Sequence, residues 1–445
     1  MKRTILLALG LILCAGESLA QQATPAAANA ADGKTLVVRA RWLIDGTNDK
    51  PRHNVQIVIR GNRIVDVLPA NSPSLPEEAR VIDLGGATVL PGLIDTHTHI
   101  FLQGEDPADG GYDVQLLKYP ASYRAARAVV AARRALEQGF TSIRDMETEG
   151  AGYGDVGIKR AINEGLIPGP RMWVSTLSIS STGGYPLEGY APEITVPKGA
   201  QLVDGPIEAR KAARQQLDNG ADWIKVYMTH RSWLDAQGAL VSQPTLTVEE
   251  LKAVVDETHG WGKKVACHAY NGLGLQRALD GGCDSIEHGL EITDAQIAQM
   301  IKQGTWYVPT LQVYYTDWDP ADTDSGKRDR KRVALHGVAF TKALHAGVKM
   351  AFGTDVGGFK WSAPIAEEFA REVEFGMTPM QAIQSATTRA AELLGMRGEI
   401  GVIAPGAYAD LIAVASDPLV DITILKSVQF VMKDGVVFEM REASR

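Results

Sequence analysis

The spacing of apolar and polar residues changes character twice along the chain. Between residues 35 and 89, short runs rich in Val and Ile ("TLVVRARWLIDGT", "VQIVIRGNRIVDV", "RVIDLGGATVL") break at Asp-Gly, Gly-Asn and Gly-Gly steps. That is the pattern of strands and tight turns. Similar runs, "ADLIAVASD" and "VQFVMKDGVVF", return near the other end. Two β-rich ends around a different middle predict one small β-sandwich domain, built from residues 34–88 and 396–445.

The middle, residues 89–395, alternates. Apolar runs at 89–97, 140–145, 171–176, 223–227, 264–269, 285–288, 306–310 and 349–354 predict eight strands. Helical spacing lies between them. It is clearest in "SYRAARAVVAARRALEQG", which Gly139 closes, and it recurs at 206–219, 247–260, 274–281, 294–303 and 329–346. A last helix is expected at 378–394. Eight strand–helix alternations predict an α/β fold, a (β/α)8 TIM barrel, whose chemistry would sit at the carboxyl ends of its strands.

The first residues follow another pattern. Lys2 and Arg3 precede an apolar run from Ile5 to Ala15, and Ser18-Leu19-Ala20 offers small residues at the positions a signal peptidase reads. We expect a signal peptide, residues 1–20, and a disordered mature N-terminus, residues 21–33. The protein would then be secreted or periplasmic. No other stretch is apolar enough for a membrane span. The net charge of −8, with no basic run, argues against nucleic acid as a partner. Cys14 leaves with the signal. Cys267 and Cys283 are read first as buried thiols; a bridge between them stays open, though nothing in the sequence demands it.

Composition otherwise changes little; the strand ends carry the chemistry. In "LPGLIDTHTHI" an apolar strand closes with His97 and His99, which strand alternation places on one face. The strand at 223–227 holds Lys225 in an apolar run. The strands at 264–269 and 285–288 deliver His268 and His288, and 349–354 leads to Asp355. Imidazole and carboxylate suit Zn²⁺ and its neighbours. An ammonium among metal ions would be repelled, so Lys225 is either unprotonated or chemically modified.

"PGLIDTHTH", the lone Lys225, "HAY", "SIEHG" and "GTD" resemble the amidohydrolase superfamily over residues 35–440. "GFTSIRDM", "HAYNGLGLQRALDGGCDSIEHG" and "MTPMQAIQSATTRAAELLG" are similar to its prolidase-like and imidazolonepropionase-like branch. The resemblance implies two divalent metal ions, expected to be zinc. His97, His99 and Asp355 would hold one and His268 and His288 the other, with Lys225, carboxylated by CO₂, bridging them. Asp355 stands where the family's proton shuttle lies. Lys225 also argues against the deaminase relatives, which usually lack it, and the full set of six argues against a non-catalytic barrel. Assembly into homo-oligomers is common in the superfamily, although no local signal marks it here.

The implied reaction is hydrolysis of a C–N bond. Two dications set against Asp355, a carbamate and a hydroxide leave about +1, which favours an anionic substrate. Dipeptides and N-acyl amino acids with a free carboxylate fit. A cyclic amide, a lactone or an amide-bearing toxin, such as an N-acyl-phenylalanine mycotoxin, is the alternative on the same scaffold. Tyr270, His230 and Arg231 are the expected substrate contacts, the last two placed to bind a carboxylate. Tyr185 follows Gly183-Gly184 where relatives often carry a histidine that supports the intermediate, so either Tyr185 or His230 takes that role. Tyr314, Tyr315 and Trp318 belong to a polar loop read as a lid over the leaving-group pocket. Arg144 and Asp145 are read as a structural pair, and His53, His259, His336 and His345 as surface or packing residues.

Overall fold

The computed structural model describes residues 35–72, 78–105, 111–185, 187, 189–316 and 322–440; the expected signal segment, the 21–33 stretch and Trp318 lie outside them. The apolar run at 89–97 is two strands, not one. Thr88–Pro91 pairs with Leu411–Val414 and Thr35–Leu43, whereas Leu93–Thr98 pairs in parallel with Phe140–Asp145. The chain changes sheets at Gly92. Its N–H donates to the Asp410 carbonyl at 2.9 Å, and the next N–H, of Leu93, donates to Gly139 at 3.0 Å. A Cβ at position 92 would lie 2.1 Å from Thr141 Oγ1. Gly92→Ala is therefore expected to destabilise the protein by about 1–3 kcal/mol through overpacking. A lower urea midpoint at unchanged slope would show it.

The two chain ends do join. Five strands from residues 35–91 and three from 411–440 share one mixed sheet. They are joined by one continuous hydrogen-bonded path, so the expected division into two stacked sheets is not shown. The nine-residue strand Thr35–Leu43 pairs with Arg80–Asp83 over its first half and with Thr88–Pro91 at its end, so one strand belongs to both would-be layers. Alternate residues of the sheet, among them Val38, Ile57, Ile59, Leu411 and Met432, pack into one core.

In the middle, Phe140–Asp145, Trp223–Tyr227, Lys264–Ala269 and Ser285–His288 form where periodicity places them. All are parallel to their neighbours. Arg171–Val174 and Trp306–Val308 end two residues early. Residues 349–354 form no regular strand, although they hydrogen-bond to a neighbour on each side. Tyr307 N–H donates to Lys349 and Ala351 N–H to Tyr307 on one side, while Thr96 N–H donates to Phe352 and Asp355 N–H to His97 on the other.

Several helices start at capping boxes. Thr247, Thr293 and Thr378 each accept from the N–H three residues on, and the Glu or Gln there reaches back. The helix expected at 329–346 begins earlier, at Asp324, with Thr323 as its cap, and runs to Ala346. The last helix is interrupted by a π-turn, Ser385–Arg389. An unexpected antiparallel hairpin, Thr229–Leu234 with Leu240–Pro244, follows the strand bearing Lys225. Among the described residues no helix is long and apolar enough to cross a membrane.

Cys267 and Cys283 are bridged, which corrects the reading as free thiols. The helix Gly272–Gly281 carries the chain back past the strand Lys264–Ala269 and brings the two Cα atoms to 6.1 Å. That is within disulfide reach. The closure depends on how the helix returns, which composition does not record.

Candidate metal centre

The backbone is strained where the parallel strands end. Among the described residues seven non-glycine residues adopt positive φ, and Glu149, Thr176, His288, Thr310 and Asp355 lie at or just past those ends. Such conformations cost free energy and concentrate where side chains must be aimed. The strand ends open into a cavity of about 840 Å³, and His97, His99, Lys225, His268, His288 and Asp355 all line it. The six metal residues expected from the sequence are thus brought together.

Within that group the nitrogens face inward. His97 Nδ1 lies 2.7 Å from Glu287 Oε2. A proton on Nδ1 then leaves Nε2 bare, and Nε2 stands 3.3 Å from His99 Nε2, 3.4 Å from Asp355 Oδ1 and 3.4 Å from Lys225 Nζ. His99 Nε2 is 3.1 Å from Asp355 Oδ1. His288 Nδ1 lies 2.8 Å from Thr310 Oγ1. The His268 ring sits 4.4 Å from that of His288, and its Nε2 is buried without a hydrogen-bond partner. Ligand atoms of His97, His288 and Asp355 lie within 4.8 Å of one another, as do those of His99, Glu147 and Glu149.

Burial sets the protonation states. It drives His97 and His268 well below the ordinary imidazole range and His288 to about 3, so the rings are neutral, the form that ligates metals. Lys225 is fully buried, and burial lowers its pKa against the pull of Glu287, Glu147 and Asp355. Burial acts to raise Asp355, but His97, His99 and His288 outweigh it and hold the carboxyl below its usual range. Neutral imidazoles, an ionised carboxylate and an orphaned His268 nitrogen are a donor set that fits divalent ions.

The charged groups behind these six residues had weaker signals in the sequence. Arg144 does not pair with Asp145. It reaches Glu287 at 2.9 Å, while Asp145 accepts from the Ile100 N–H. Arg144 is on a strand whose side chains alternate, so its head crosses the interior to the strand bearing Glu287, locking the carboxylate that orients His97. Glu287 had one signal, a charge inside the buried strand "SIEHG", much like Lys225. Glu149 accepts from Tyr112 and Tyr185 hydroxyls, each at 2.7 Å, and Glu147 from Ser178 at 2.6 Å and Tyr227 at 2.9 Å.

Substrate-side residues divide. Tyr185, Tyr270, His230 and Tyr314 line the cavity. His230 arrives on the unexpected hairpin, and burial, then Arg231 and Arg332, lowers its pKa to about 4. Arg231 is exposed and lies outside the cavity lining, which corrects its expected place. The hairpin is irregular between Thr229 and Ser232, and there His230 faces the cavity while Arg231 does not. Tyr315 also turns away, under Arg371 at 4.1 Å. His336 is buried, its ring 5.1 Å from that of Tyr314. The cations on the cavity wall, besides Lys225, are instead Arg328, Arg332 and Lys360. With Ser325, Arg328 and Asp329, Arg332 makes one face of the helix Asp324–Ala346, at helical spacing i, i+3, i+4, i+7. Placing the helix start at 329 concealed that face.

Comparison with known proteins agrees with this geometry. The family model described as "Amidohydrolase family" matches residues 88–438. Ochratoxinase of Aspergillus niger is 30% identical, with 92% of this chain and 87% of that protein covered. Imidazolonepropionase of Streptomyces coelicolor is 26% identical over 80% of this chain and 84% of its own. A crystal structure of a Xaa-Pro dipeptidase with methionine bound in its active site superposes with a TM-score of 0.82, at 35% identity, covering 91% of this chain and 100% of the other. Imidazoles, lysine and carboxylate meeting at strand ends are thus the local expression of a likeness that runs the length of the fold, and the chain belongs to the amidohydrolase family, as a hydrolase acting on C–N bonds.

Proposed function

We propose that the protein is an exported, two-metal amidohydrolase that cleaves the amide bond of dipeptides or N-acyl amino acids with a free carboxylate. The observation that carries this is the convergence of four buried imidazoles, Asp355 and the buried Lys225 on one cavity. In this reading the parallel strands close into a (β/α)8 barrel, residues 89–395. Closure is supported by residues 349–354 bonding to both Trp306–Val308 and Leu93–Thr98. The terminal sheet is a second domain, residues 34–88 and 396–445.

His97, His99 and Asp355 would hold one ion, His268 and His288 the other, and a carbamate on Lys225 would bridge them. Two divalent ions, zinc in this reading, would polarise the substrate carbonyl and make a water acidic enough to attack at neutral pH. Asp355, held ionised by its imidazoles, accepts that water's proton and returns it to the departing nitrogen. Arg144 and Glu287 keep His97 in one tautomer throughout.

Arg332 is the group we assign to the substrate carboxylate. Its guanidinium stacks 5.4 Å from the Tyr270 ring centre and is steadied by Ser232 Oγ at 2.5 Å and Asp329 at 3.4 Å. The dipeptidase relative binds an amino acid in its active site, which is consistent with such an anchor. A second reading, an amide-bearing toxin such as an N-acyl-phenylalanine mycotoxin, draws on the likeness to a protein named ochratoxinase and on the tyrosine-walled cavity.

The test is amino-acid release from a panel of dipeptides and N-acyl amino acids and their carboxyl-amidated counterparts, using protein from Gln21 onward loaded with Zn²⁺ and bicarbonate. Free carboxylates should be cleaved. Arg332→Leu should raise KM about ten- to a hundredfold for those substrates alone, the worth of a hydrogen-bonded charge. Equal cleavage of amidated substrates would remove the carboxylate assignment, and no C–N cleavage of any panel member would remove the proposed substrate class.

A further inference from the structure

Glu149 is the residue this centre explains least. It follows the strand Phe140–Asp145 by four positions, is buried, and holds a left-handed backbone at φ +51° with no glycine to ease it. Two phenols from distant segments converge on one of its oxygens. Tyr112 on the helix Gly111–Leu117 and Tyr185 after Gly183-Gly184 each donate to Oε2 at 2.7 Å. The chain makes room for them at Gly199, where a Cβ would lie 2.2 Å from Tyr112 Oη and 2.4 Å from Tyr185 Cε1. The other oxygen, Oε1, lies 3.3 Å from His99 Nδ1, a buried nitrogen that makes no hydrogen bond in this arrangement.

We propose that Glu149 is a positioning residue that fixes His99, and that Tyr112 and Tyr185 exist at this site to hold Glu149. Two donors on Oε2 pin the carboxylate and leave Oε1 to accept the Nδ1 proton. His99 then presents a bare Nε2 toward His97 and Asp355, as Glu287 makes His97 do. A carboxylate behind a ligating imidazole fixes its tautomer and raises its basicity. The Tyr185 hydroxyl is thereby engaged as a donor, which leaves His230 as the side chain free to face a developing oxyanion. The inference rests on the proposed two-ion reading, with His99 as a ligand.

The experiment is a Zn²⁺ titration of chelator-stripped protein, with thermal unfolding recorded to establish that each variant is folded. Glu149→Ala should weaken one of two binding events about 10–100-fold. Tyr112→Phe and Tyr185→Phe should weaken the same event by less. Neither should cost anything further in the Glu149→Ala background, because residues acting through one partner are not additive. Unchanged affinity in Glu149→Ala, or a Tyr185→Phe loss that persists without Glu149, overturns the proposal. The His99 tautomer, read from ¹⁵N shifts of labelled metal-free protein, decides it separately. Nδ1–H in the wild type and its loss in Glu149→Ala support the proposal, and an unchanged tautomer overturns it. Wild-type protein that binds other than two ions would count against the two-ion reading, and the tautomer would still judge Glu149.

Discussion

Lys225→Ala is expected to abolish amide hydrolysis and to leave the protein unable to hold two divalent ions at once. Lys225 is fully buried, and burial lowers its pKa. A neutral amine can react with CO₂, whereas an ammonium cannot, so the environment favours the modification that the two-ion reading requires. Alanine removes both the bridge and its negative charge. The loss should be several kcal/mol of transition-state stabilisation, on the order of 10³-fold or more in kcat/KM. Packing alone would not produce this pattern. A buried side chain cut to alanine lowers stability, but a cavity has no reason to change metal stoichiometry. The check is kcat/KM together with ions bound per chain in the folded variant. Two ions and near-normal turnover would mean that Lys225 only fills space.

Asp355→Asn should reduce kcat by about 10²–10⁴-fold, the usual worth of a positioned acid–base group, with little change in KM. Asparagine keeps the shape and an oxygen that can face an ion, but it cannot carry a proton from water to a leaving amine. The side chain sits 3.1 Å from His99 Nε2 and 3.4 Å from His97 Nε2, on a backbone at φ +62° that aims it into the cavity. The leaving group supplies the discriminating readout. An amide, whose nitrogen must be protonated to depart, should lose far more than an ester of the same acid with an acidic alcohol. Equal losses on both would place the role of Asp355 in holding an ion rather than in moving a proton.

The six centre residues were legible because each breaks a local rule. Histidines end an apolar strand, and a lysine interrupts another. Strand periodicity then dictates that they share a face. Strands such as Trp223–Tyr227 and Ser285–His288 were legible for the same reason, as short apolar runs bounded by helices. Features that depend on a partner far along the chain were not. Gly92 looks like one more residue of a strand until Thr141 lies against it. Arg144 and Asp145 are adjacent in sequence and point to opposite sides of their strand, so their partners are Glu287 and Ile100 instead. Arg332 stayed hidden because a polar helical face on the wall of a cavity reads in sequence like one facing solvent. Glu149 had no signal, since the hydrogen bonds that hold it come from two tyrosines 37 and 36 positions away.

The most direct test of the two-ion centre is ¹³C NMR of protein loaded with zinc in ¹³C-bicarbonate, with metal analysis on the same sample. Two ions per chain and one carbamate resonance that disappears in Lys225→Ala are expected. A single ion with no carbamate resonance, in protein that still cleaves amides, would contradict the two-ion reading.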